Sequence, residues 1–266
     1  MPFAPTPAGL IEYERIDTAS PGGLTFVMLH EGLGSVAMWR DFPQRLAQSM
    51  QSTVIAYSRS GYGRSERLHV RNSIRYMHDE ALVVLPQFLD QLDIENPILF
   101  GHSDGGSIAL IHAGGSDRPV AGVVALAPHV LVENISVASI AAAKHAYETT
   151  NLRERLANYH DDVDGVFWRW NDVWLDPAFR AWNIEEYLPR ISCPVLAIQG
   201  EKDEYGTMDQ VERIRRAAPE VVVLEVKECR HSPHRDQPKV VLDALAQWTR
   251  RYRLSETRLT PTRTVS

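Results

Sequence analysis

Apolar residues gather in six short runs along the chain, at 24–30 (LTFVMLH), 52–58 (STVIAYS), 96–102 (NPILFGH), 120–127 (VAGVVALA), 193–200 (CPVLAIQG) and 220–226 (EVVVLEV). Most are apolar at successive positions rather than alternate ones, so each strand is expected to be covered on both faces. LIEYERI at 10–16 is a further candidate strand. Between the runs, the segments 36–48, 76–92, 105–114, 207–218 and 238–252 carry apolar residues at helical spacing. Strand alternating with helix predicts an α/β fold built on a doubly wound, mostly parallel sheet.

The alternation lapses between Pro128 and Arg190, a stretch too long for an ordinary loop. Within it, 136–160 and 161–176 read as helices, the second opened by the acidic cluster Asp161, Asp162 and Asp164. This segment is expected to form a helical cap over the carboxyl edge of the sheet. It holds Trp168, Trp170, Trp174 and Trp182, four of the six tryptophans, beside Phe167. Phe167, Trp170 and Trp174 share one helical face. Most of these rings are expected to form the cap's own core, and one or two to touch a bound molecule.

Composition and charge narrow the function. The 28 Lys and Arg against 34 Asp and Glu give a net charge of −6, so there is no positive field to gather nucleic acid or an anionic membrane. A small, neutral substrate fits better. Cys193 and Cys229 are too few for a disulfide scaffold. The start MPFAPTPAGLIEYERI has neither a basic leader nor a long apolar stretch, and no later run approaches a membrane span, so a cytoplasmic location is expected. The sequon at Asn134 carries little weight without a secretory signal. The oligomeric state is open, a homodimer included.

The chemistry centres on ILFGHSDGGSIAL at 98–110, where a strand passes into a helix through Gly101, His102, Ser103, Asp104 and Gly105. A turn this tight forces its central residue into a sparsely populated backbone conformation and lifts the Ser103 hydroxyl out beside the helix N-terminus. A serine needs a base to activate it and a carboxylate to orient the base. Asp203 follows one run and His231 the next, and in a parallel sheet both loops emerge on the edge that carries Ser103. His234 competes with His231 as base, and Glu201 and Asp209 compete with Asp203. His234 is expected to be a polar surface or helix-start residue, and the two acids to be solvated. Cys229, His231 and His234 suggest a metal only weakly, since a structural zinc wants a fourth ligand and none is near. His30, His102 and His129 are expected to pack and hydrogen-bond behind the site.

These residues resemble the α/β-hydrolase family over most of the chain, from LHEGLGSVAMW to HSPHRDQPKVV. The matches are G-x-S-x-G at 101–105, G-x-x-D at 200–203, H-x-P at His231 with Pro238 following, and the glycine-rich YSRSGYGRS at 57–65, which has Ser58 where aspartate is common. With the lapse in alternation and the polar last stretch, the chain is expected to divide into a core of 1–128 and 191–255, a cap of 129–190 after the sixth strand, and a polar tail of 256–266. The resemblance implies a serine hydrolase of the esterase-like branch, acting on a small ester or lactone with no metal or organic cofactor. Ser103 is then the nucleophile, His231 the base and Asp203 its partner. The oxyanion donors are the amides of Asp104 and, from HEGLGS at 30–35, Gly32 or Leu33, because Glu31 stands where the family places glycine. The alternatives are cleavage of a carbon–carbon bond in an aromatic ring-cleavage product and a ligand-binding, receptor-like member of the fold.

Overall fold

The computed structural model describes residues 1–18 and 23–254; the expected tail at 256–266 lies outside the described residues. Eight strands form one sheet: β1 (Phe3–Thr6), β2 (Gly9–Asp17), β3 (Thr25–Leu29), β4 (Thr53–Tyr57), β5 (Ile98–His102), β6 (Gly122–Leu126), β7 (Val195–Gly200) and β8 (Val221–Val226), in the order β1-β2-β4-β3-β5-β6-β7-β8. From β4 to β8 every pairing is parallel, while β1 and β2 join antiparallel. All residues of β4, β5, β6 and β7 are buried, as their unbroken apolar runs require. At the edge, β8 is only half covered. The missed strand is β1, whose four residues include Pro5, a residue without an N–H to donate and so confined to sheet edges.

Successive side chains on each strand enter different cores. Val27, Leu29, Ile55 and Leu99 face one apolar cluster, whereas Phe26, Met28, Val54, Ile98 and Phe100 face another. The second is closed by α1 (Phe42–Met50) and α10 (Pro238–Arg251) through Leu46, Val241, Leu245 and Trp248. The first is closed by α2 (Tyr76–Asp79), α3 (Leu85–Gln91) and α4 (Asp104–Gly115). Helices on both faces make the sheet doubly wound, as expected.

Three expected helices are interrupted, each at an identifiable residue. The segment 36–48 begins as a 3₁₀ turn at Val36–Trp39 and restarts as α1 after Arg40, which turns at φ 56°. The segment 76–92 widens into a π turn at Glu80–Val84 just before Pro86, which has no N–H for the carbonyl one turn back. The segment 136–160 splits into α5 (Asn134–Thr149) and α6 (Leu152–Ala157), where the Thr150 hydroxyl bonds back to the Ala146 carbonyl and accepts the Leu152 N–H. The next helix, α7 (Val163–Leu175), is capped by Asp162, which accepts from the Gly165 N–H. Two 3₁₀ turns, Pro177–Ala181 and Glu185–Arg190, lead back to β7, so the helical insertion follows the sixth strand. The remaining helices are α8 (Met208–Ala217) and α9 (Pro233–Asp236).

Helix α4 sits against the sheet so closely that only glycine fits its first turn. A methyl group on Gly105 would lie 2.0 Å from the Leu29 carbonyl oxygen, and one on Gly101 would lie 2.1 Å from the Gly105 carbonyl oxygen. Neither neighbour is a side chain that could swing away. Gly105→Ala is expected to destabilise the protein by about 3 kcal/mol, read as a lower midpoint in denaturant unfolding. An unchanged midpoint would mean that the helix shifts freely on the sheet.

Candidate active site

Ser103 joins β5 to α4 at φ 54° and ψ −118°, while Gly101 and Gly105 keep ordinary backbone angles. The strain therefore resides on the serine and the glycines serve close approach. The Ser103 N–H is fixed to the Leu126 carbonyl at 2.8 Å, which ties the turn to the next strand.

Asp203 and His231 meet at the same sheet edge. Nδ1 of His231, in the loop after β8, lies 2.9 Å from each carboxylate oxygen of Asp203, in the turn after β7. The carboxylate is itself held: Oδ1 accepts the Tyr205 N–H at 2.7 Å and Oδ2 accepts from Gln199 Nε2 at 2.8 Å. Burial pushes the Asp203 carboxyl up, but the charge of His231 and these hydrogen bonds outweigh it and leave the group below the usual range. Burial likewise pulls His231 down, and attraction to Asp203 prevails to raise it. With Nδ1 engaged by Asp203, Nε2 is the nitrogen left for proton exchange.

The supporting histidines are where the sequence suggested. His102 Nε2 donates to the His231 carbonyl at 2.8 Å and positions the base loop, while its other nitrogen lies 3.5 Å from Glu31. Burial holds His129 down to about 3, so it stands neutral behind the site, 6.1 Å from the His231 ring. His234 does begin α9 but is not a surface residue: it is buried between Trp39 at 4.8 Å and His102 at 4.8 Å, because the ring fills the apolar gap beneath the base loop. Glu201 is exposed and pairs with Lys227, and Asp209 pairs with Arg213 along α8. Among the described residues, no group of three or more His, Cys, Asp or Glu is arranged to hold a metal, and both cysteines are free.

The loop HEGLGS is pinned by its carbonyl groups. His30 Nε2 accepts the Arg59 N–H at 3.0 Å, so the ring proton sits on Nδ1 and goes to the Glu31 carbonyl at 2.7 Å. His160, from the insertion, works the same way: Nδ1 accepts the Gly63 N–H at 3.0 Å and Nε2 donates to the Leu33 carbonyl at 2.9 Å. Among the described residues, the N–H groups of Gly32 and Leu33 have no acceptor, which makes both candidates for holding an oxyanion. Nothing in the sequence around His160 signals this contact, since it joins residues far apart in the chain.

Glu31, at the unusual position, folds back toward Gly34 and His102. Burial pushes its carboxyl up, but the histidines around it prevail and hold it well below the usual carboxylate range. Asp104 is sealed behind the elbow. Its Oδ2 accepts from the Tyr76 hydroxyl at 2.6 Å and lies 3.7 Å from Arg59, and burial pushes the carboxyl up despite that arginine. Arg59 also donates to the Glu31 carbonyl at 2.9 Å and stacks over Tyr62. Arg169 is committed to the carbonyls of Gly61 and Leu68. Trp174 packs on His129 at 5.0 Å and donates to the Tyr76 hydroxyl, and Trp170 lies against Gly32, so two of the aromatic residues on α7 reach the site.

Comparison with known proteins bears on the family and the fold. A family model described as the alpha/beta hydrolase family matches residues 26–244. The chain is 33% identical over 87 residues to an abhydrolase domain-containing protein, abhd-5.2, from Caenorhabditis elegans; the match spans 33% of this chain and 19% of that protein. Its fold is similar to that of an enol-lactonase from Burkholderia xenovorans LB400, at 18% identity and a TM-score of 0.72, over 94% of this chain and all of the other. It is also similar to that of a meta-cleavage product hydrolase from Pseudomonas fluorescens IP01, at 15% identity and a TM-score of 0.73, over 94% and 98% of the two chains.

Proposed function

Given that the chain belongs to the alpha/beta hydrolase family, we propose that it is a serine hydrolase that cleaves a small, neutral carboxylic ester or lactone through an acyl-enzyme. The observation that carries this reading is the strained Ser103, with the Asp203–His231 pair on the same edge of the sheet. Ser103 Oγ attacks the acyl carbonyl and His231 Nε2 takes its proton. The amides of Asp104 and of Gly32 or Leu33 hold the oxyanion. The tetrahedral adduct then expels the alcohol, which leaves with the proton from His231, and water activated by the same base releases the acid. No step calls for a metal or an organic cofactor.

The preference for a neutral substrate rests on how the arginines are spent. Arg59 serves Asp104 and the Glu31 carbonyl, and Arg169 serves two backbone carbonyls, so neither is left to meet a substrate carboxylate. Glu31 adds a negative charge beside the loop, which disfavours an anion further.

A fluorophosphonate is expected to label the protein once, at Ser103, and p-nitrophenyl esters of short or aromatic acids to be turned over. A ring-cleavage dienoate is expected to show a kcat/KM at least about 100-fold lower, some 2.7 kcal/mol in barrier height. Efficient dienoate hydrolysis with negligible esterase activity would move the assignment to carbon–carbon cleavage. Labelling without turnover, together with a ligand-induced rise in Tm, would make the protein a receptor.

A further inference from the structure

The loop at 30–35 gathers hydrogen-bond donors without acceptors. The N–H groups of Gly32 and Leu33 have no hydrogen-bond acceptor among the described residues. The edge of Trp170 joins them. A methyl group on Gly32 would lie 2.1 Å from the indole Nε1 and 2.4 Å from Cδ1, so the nitrogen edge of the ring, rather than its benzo edge, rests on this residue. That is a reason for glycine at 32 distinct from backbone angle, since Gly32 is not at positive φ.

Other indole N–H groups in the protein are otherwise disposed. Trp174 donates to the Tyr76 hydroxyl at 3.0 Å, and the N–H groups of Trp39, Trp182 and Trp248 are sealed off without partners; that of Trp168 is also without a partner among the described residues and unsealed, but it is the ring of Trp170 that rests on Gly32. The Trp170 N–H has no hydrogen-bond acceptor among the described residues and is not one of the sealed ones. It sits where an incoming acceptor could reach it. A donor brought against two further free donors is costly unless an oxygen arrives to be shared.

Its placement is firm. Arg169 ties one side of α7 to the carbonyls of Gly61 and Leu68, and Asn171 Nδ2 bonds the Ile140 carbonyl at 3.0 Å. His160 fixes the Leu33 carbonyl from the same insertion, so the loop and the ring are held relative to one another. The elbow adjoins them: a methyl on Gly105 would also meet the His30 carbonyl, at 2.8 Å.

We infer that the Trp170 indole N–H is a third donor to the oxyanion, converging on the same oxygen as the Gly32 or Leu33 amide and making Trp170 a catalytic residue supplied by the insertion. The inference rests on the serine-hydrolase reading, and the two fail differently. A side-chain N–H whose partner oxygen gains charge as the reaction proceeds binds the transition state better than the substrate, and its removal lowers kcat rather than raising KM.

Trp170→Phe keeps an aromatic ring and deletes the donor. For a p-nitrophenyl ester, kcat is expected to fall on the order of 10- to 100-fold, with KM within about threefold of the parent and fluorophosphonate labelling of Ser103 slowed in parallel. In unsubstituted, ¹⁵N-labelled protein, the Trp170 indole N–H resonance is expected to move downfield on phosphonylation, a readout that holds even if the variant folds poorly. A kcat within twofold of the parent, a rise in KM alone, or an unmoved indole resonance would overturn the inference. Absence of any labelling at Ser103 in the unsubstituted protein would instead overturn the underlying serine-hydrolase reading.

Discussion

His231→Ala is expected to lower kcat/KM for an ester by about three to six orders of magnitude, because nucleophile and base act as one unit and a serine hydroxyl alone is a weak nucleophile. Its Nδ1 is committed to Asp203, and the loop that carries it is held by the bond from His102 to the His231 carbonyl. The ring also packs on Tyr205 at 4.7 Å and His102 at 5.1 Å and offsets the buried Asp203 charge, so some loss of Tm accompanies the loss of rate. His234→Ala provides the contrast. That ring fills space among Trp39, Phe42 and His102, and burial holds its pKa well below the ordinary histidine value, so it stays uncharged. Its loss should lower Tm through a cavity and leave most of the rate. Steady-state kinetics and thermal melts on the two variants separate the roles, and the reverse ranking would transfer the base to His234.

Much of this arrangement is legible in the sequence because it rests on local signals. Strands buried on both faces must be apolar without alternation, so β4, β5, β6 and β7 announce themselves. A strained strand-to-helix turn needs glycine where backbones nearly touch, so Gly101 and Gly105 mark Ser103. Asp203 and His231 are readable because parallel strands all end on one edge. The residues that escape sequence reading work over long separations or by filling space. His160 bridges Leu33 and Gly63 from the insertion, and Arg59 couples the loop at Glu31 to Asp104; neither leaves a periodic or spacing signal. His234 stands at a helix start, one of its two expected places, but is buried rather than at the surface, because its environment is supplied by Trp39 and Phe42, almost two hundred residues earlier in the chain. The broken helices at Arg40, Pro86 and Thr150 depend on single residues set within otherwise good helical spacing.

Asp203→Asn tests the pairing through both the rate and its pH dependence. The carboxylate holds the proton of His231 on Nδ1, which leaves Nε2 as the acceptor for the Ser103 proton. An amide at 203 has one oxygen for two donors that bond different carboxylate oxygens, the Tyr205 N–H at Oδ1 and Gln199 Nε2 at Oδ2, so its NH₂ takes the other place, where it loses one of these bonds and donates to His231 Nδ1. The ring then presents Nδ1 as acceptor and carries its proton on Nε2, the wrong tautomer for a base. A loss of roughly 10⁴-fold in kcat is expected. In the unsubstituted protein, burial pulls the His231 pKa down but Asp203 raises it above the ordinary histidine value of about 6.5. Since only the neutral ring accepts a proton, kcat/KM should climb with pH along a limb displaced above that value and then level off. Removing the charge at 203 leaves burial unopposed by its main counterweight, so the residual activity should climb along a limb at lower pH. Profiles from pH 5 to 9 on both proteins decide the matter. Coincident limbs, or a rate lost by less than tenfold, would remove Asp203 from the pair and point to another carboxylate as the partner of His231.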